Sequence, residues 1–87
     1  MTHKELQQQT LGNLRRGLLF LHDSSEEAAM LVIGMHITAL GVLRRHKYLT
    51  VDELMEEMRT LYVAVEETHP GKWEAFGGPR LPDTLKA

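Results

Sequence analysis

Five histidines, four adjacent carboxylate pairs and two consecutive serines are the side chains here that could do chemistry. Histidine binds metals and shuttles protons. The five, His3, His22, His36, His46 and His69, are scattered along the chain. No two are four residues apart, the spacing that sets two ligands on one helical face, and none lies in an HExxH-type motif. No metal is therefore expected. The carboxylate pairs are Glu26/Glu27, Asp52/Glu53, Glu56/Glu57 and Glu66/Glu67. Neighbours on a helix point about 100° apart, so these pairs diverge instead of converging on a substrate. They read as a solvated face. Ser24 and Ser25 sit in no nucleophile motif and read as helix caps. There is no phosphate-binding loop and no dinucleotide fingerprint. With no cysteine in the chain, disulfides and thiolate metal sites are excluded. No catalytic residue, cofactor or small-molecule substrate is expected, and the chain does not read as an enzyme.

Arginine and lysine could serve nucleic acid. Arg15, Arg16, Arg44, Arg45 and Lys47 would make a basic patch if the first two helices brought them together. A short turn joins the second and third helices, as in a helix-turn-helix. In that motif the start of the later helix approaches the bases. Here that start carries Asp52, Glu53, Glu56 and Glu57, which phosphates would repel. A DNA-associated regulator is thus the alternative and not the favoured reading. The cations at the end of the second helix have a simpler role, complementing its dipole.

The elements that must position these residues are helices. Thr2 with Glu5 fits a capping box, followed by Leu11, Leu14, Leu18 and Leu21 on one stripe, which Leu19 and Phe20 widen. Ser24 with Glu27 begins a second helix in the same way. Leu49, Thr50, Glu53 and Leu54 supply a capping box and a hydrophobic staple for a third, which Pro70 and Gly71 stop. The spacing predicts helices over about 3–22, 25–46 and 51–68 within a domain at 1–69. Residues 70–87 hold three prolines and should form a Pro/Gly-rich strap anchored by Trp73 and Phe76.

The 87 residues make one domain and bury only roughly 60–65% of their unfolded surface, so a second subunit would be a natural support. The second helix strengthens that expectation. Between Ala28 and Leu43 only His36 and Thr38 have polar side chains, and they point about 160° apart. A helix apolar around most of its girth is normally buried around most of it. Val32, Ile33, His36, Ile37, Leu40 and Leu43 are expected at a homodimer interface. A separate face of Glu27, Leu31, Gly34, Thr38, Gly41 and Arg45 should be partly exposed. If it were instead a close crossing, Gly34 and Gly41 would be its contact points.

The net charge is -2, concentrated in the third helix. There Asp52, Glu53, Glu56, Glu57, Glu66 and Glu67 face Arg59 alone. Leu18, Phe20, Met35, Met55, Met58, Tyr62, Trp73 and Phe76 are candidates for binding a larger protein, with methionine suited to an adaptable surface. The fold class expected is all-α, a three-helix protomer pairing into a helical bundle. The function expected is a non-catalytic regulator that binds a transcription regulator or a nucleic-acid-handling complex. A small subunit or chaperone of a larger complex is a further alternative. Thr2 to Gln9 is polar, so no signal peptide is expected, nor any membrane helix. A cytoplasmic bacterial protein is the corresponding expectation.

Overall fold

Helix α1 (His3–Gly17) starts at Thr2, whose hydroxyl oxygen accepts the Glu5 N–H at 3.1 Å. Only half of the expected capping box forms, because the Glu5 carboxylate accepts from the Thr2 hydroxyl and not from its backbone. The computed structural model describes residues 2–86, all-helical with turns between; Met1 and Ala87 lie outside the described residues. At Gly17 the chain tightens into a 3-10 segment, Leu18–Asp23, where one long α-helix to residue 22 was expected. Three residues per turn make Leu18 and Leu21 eclipse. Leu21 is buried completely, while Leu19 and Phe20 turn outward instead of widening the buried stripe.

Helix α2 (Glu26–Arg45) is capped by Ser25, one residue later than expected, with its hydroxyl oxygen accepting the Ala28 N–H. The Ser24 hydroxyl donates to the Phe20 carbonyl at 2.6 Å and closes the 3-10 segment. Two bonds finish α2: Lys47 N–H to the Arg44 carbonyl and Tyr48 N–H to the Leu43 carbonyl. This is a Schellman ending with Lys47, at φ 62°, in the left-handed position that glycine usually fills. Arg44 then donates to the Leu49 carbonyl at 3.0 Å, bracing the turn.

Helix α3 (Val51–Thr68) opens on the full capping box of Thr50 and Glu53. Its Glu53 carboxylate also accepts the Gln7 amide at 2.8 Å, tying the start of α1 to the start of α3. The Thr50 backbone bond first, then the Gln7 bond, hold that carboxyl below its usual range. α3 packs against α2, the 3-10 segment and the short α4 (Asp83–Lys86). Leu21, Ile33, Leu40, Leu49, Leu61 and Val65 are sealed between these elements.

The segment after Pro70 turns back onto the bundle. Trp73, Phe76 and Leu81 join the core. The Trp73 indole N–H donates to the Pro79 carbonyl at 2.8 Å, and its ring meets Tyr62 edge-on. Gly78 lies so close to that ring that a Cβ would fall 2.1 Å from it, so any larger residue there must displace the ring.

By length and composition α2 could cross a membrane, the one helix among the described residues that could. One side of it carries the core of this bundle, and a core helix meets the same test.

Candidate protein-docking surface

The six residues expected at a dimer interface are inside the protomer. Ile33, His36, Leu40 and Leu43 are buried by the chain's own helices, and Val32 and Ile37 are half-buried against the same core. The four buried ones occupy an arc of only about 80° on the helical wheel, narrow enough for α1 and α3 to cover. The uncovered side of α2 is the opposite one. There Leu31 is 66% and Met35 65% exposed, with Met30, Thr38, Gly41 and Val42 exposed beside them and Gly34 half-exposed between. This is the face that the sequence places between Glu27 and Arg45, widened by Met30, Met35 and Val42.

A second exposed apolar pair adjoins it. Leu19 is 73% and Phe20 70% exposed on the 3-10 segment. Phe20 and Met35 line one depression together with Leu14, Val32 and His36. Met35 therefore joins the α2 face to the Phe20 side, and the two form one apolar surface. Each large apolar side chain left in water forgoes roughly 1.5–3 kcal/mol of burial. Contiguous surface of this kind marks a contact with another molecule more often than chance packing does.

Of the eight residues expected to bind a larger partner, Phe20 and Met35 are exposed, while Leu18, Met55 and Tyr62 are half-buried. Met58, Trp73 and Phe76 are core residues and are not available to a partner. Methionine and aromatic side chains look alike in sequence whether they fill a core or present a surface. Leu31 is exposed as expected, whereas the exposure of Leu19, Met30 and Val42 was not expected, since apolar residues next to a predicted core read as core.

Beneath the surface lies a polar contact from α1 to α3. Glu57 is buried, and its carboxylate accepts from Arg15 twice, Nε at 2.9 Å and Nη2 at 2.7 Å. Glu57 holds the guanidinium protonated beyond its ordinary value, chiefly through this hydrogen bond. His36 lies near the pair, its Nδ1 buried without a hydrogen-bond partner among the described residues. Burial lowers its pKa; Glu57 pulls it back up and Arg15 adds to the lowering. An acid, a base and a cation thus share one region, but the acid and cation are spent on each other.

The basic residues do not gather. His3 meets Tyr48 edge-on at 5.0 Å, so α1 begins at the end of the bundle where α2 finishes. Arg15 and Arg16 lie a dozen residues further along α1, about 18 Å from that end. Arg15 is held by Glu57, Arg16 by Asn13 and the Gly12 carbonyl, and Arg44 by the Leu49 carbonyl. Arg45 and Lys47 are exposed. Among the described residues no group of three or more His, Asp or Glu side chains could hold a metal ion together. No family model, curated protein or solved structure matches this chain.

Proposed function

We propose that this protein is a small, non-catalytic interaction protein that works as a homodimer and binds a larger protein to modulate it. The larger protein would be a transcription regulator or part of a nucleic-acid-handling complex. One observation carries the reading: the uncovered apolar surface running from Leu31 and Met35 on α2 to Phe20 and Leu19. The α2 face would pair the protomers, and the Phe20 side would meet the partner. The exposed carboxylates of α3, Asp52, Glu56 and Glu67, would favour a basic partner. The scattering of Arg15 and Arg16 from Arg45 and Lys47 weighs against a nucleic-acid surface.

The test is affinity capture from the native host with wild-type protein and with a Leu19→Lys/Phe20→Lys variant. Both residues are exposed, so the variant should fold and dimerise normally. One stoichiometric protein retained by wild type and lost by the variant supports the reading. Equal retention by both, or none by wild type, sinks it.

A further inference from the structure

The uncovered face of α2 is self-complementary when read from its two ends. Glu27 and Arg45 each stand nine residues from position 36; Met30 and Val42 stand six away, Leu31 and Gly41 five, Gly34 and Thr38 two. In an antiparallel pair of helices with its two-fold axis at position 36, residues equally far from that position share a level. Leu31 of one copy then lies beside the partner's Gly41, Gly34 beside the partner's Thr38, and Met30 beside the partner's Val42. At each end Glu27 meets the partner's Arg45 directly, because both lie at the same angle on the helical wheel.

Two further facts point to a close contact on this face. A Cβ built on Gly34 or Gly41 meets nothing within 4 Å apart from its chain neighbours and the adjoining helix backbone. Neither glycine has positive φ, so the protomer's own fold requires neither. Each nevertheless weakens the helix relative to alanine. A close approach by a partner would account for that cost, and Leu31 is the bulky side chain that an antiparallel register brings to the Gly41 notch. A parallel pair would instead stack Leu31 on Leu31, leave the glycine notches facing each other, and set Glu26 and Glu27 against their own copies.

We infer that the occupant of this face is a second copy of the chain, packed with α2 antiparallel to α2 about position 36 and closed by reciprocal Glu27–Arg45 pairs. This rests on the pairing reading above and adds its geometry. Helix axes at such small-residue contacts approach toward the short end of the usual 8–10 Å range. Only a closed two-fold pair satisfies both ends at once, so assembly stops at the dimer.

The chain has no cysteine, so single-cysteine probes report without background. Glu27→Cys, Arg45→Cys and Thr38→Cys all alter exposed positions. Under mild oxidation Thr38→Cys should cross-link to itself, its two copies lying about 6 Å apart along the axis. Glu27→Cys and Arg45→Cys should each stay uncross-linked alone, since each is about 27 Å along the axis from its own copy. Mixed together, they should give one cross-linked band. Self-cross-linking of Glu27→Cys and of Arg45→Cys would show a parallel pair and overturn the register while the homodimer stands. A Thr38 cross-link without the mixed band would show a steep crossing and overturn the register likewise. No cross-link anywhere, with a lone protomer in sedimentation, would overturn both the register and the pairing.

Discussion

Arg15 reaches from α1 across to α3 and holds both carboxylate oxygens of Glu57, at 2.9 and 2.7 Å. The partners are unequally placed: Arg15 is 55% exposed and Glu57 only 4%. Such asymmetry makes the two truncations unequal. Arg15→Ala strands a buried carboxylate, while Glu57→Ala leaves a cation free to reach water.

Arg15→Ala should therefore be the costlier change, by about 1–2 kcal/mol of unfolding free energy after allowance for solvent screening. Urea denaturation checks it. Adding Glu57→Leu to Arg15→Ala should recover part of the loss, because no buried charge then lacks a partner. A double variant weaker than Arg15→Ala would contradict the account of this pair.

His36 gives the fold a pH dependence of known sign. Burial lowers its folded pKa below the ordinary 6.5, against the pull of Glu57. The unfolded chain therefore binds a proton at His36 that the folded chain refuses. Stability due to this group is full above about pH 6.5 and falls as the pH drops toward the folded value. Denaturation midpoints of wild type should decline from pH 7 to pH 5, and those of His36→Leu should decline less. Equal slopes would remove His36 as the cause.

Much of this was legible in the sequence. The Thr50/Glu53 box fixes the start of α3 because its two bonds are local and reciprocal. The α2 wheel separates the Glu27–Arg45 face from the His36 face, and the structure leaves the former outside. What misled was the girth of α2: an arc that is apolar throughout does not reveal which part its own chain covers. The tightening at Gly17 was hidden too, because Leu18 and Leu21 keep the same three-residue spacing in either helix type. The partners of Arg15 and Trp73 depend on contacts 42 and 6 residues away and were beyond any local pattern.

Lys47 is the one non-glycine residue among the described residues with a positive φ, 62°. A side chain there costs energy that glycine avoids. Lys47→Gly should stabilise the protein by about 1 kcal/mol, read as a higher melting temperature. A loss of stability would mean that the lysine side chain contributes more than its conformation costs.

Gly78 faces the one tryptophan in the chain, so its environment can be read directly. Gly78→Ala should push Trp73 out of its place between Tyr62 and the Pro79 carbonyl. Its fluorescence should shift to the red with the helical signal of the first three helices largely retained. Emission unchanged from wild type would contradict the packing of the C-terminal segment described here.

The account stands on the outward face of α2 being a protein contact and not a bare surface. Sedimentation equilibrium at micromolar concentration, on wild type and on Leu31→Lys/Met35→Lys, tests that most directly. The expected result is a dimer for wild type and a folded protomer for the variant, with no loss of helical signal, since neither residue serves the protomer's own core. A wild-type protein that remains a lone protomer, or a variant that still pairs as wild type does, would contradict it.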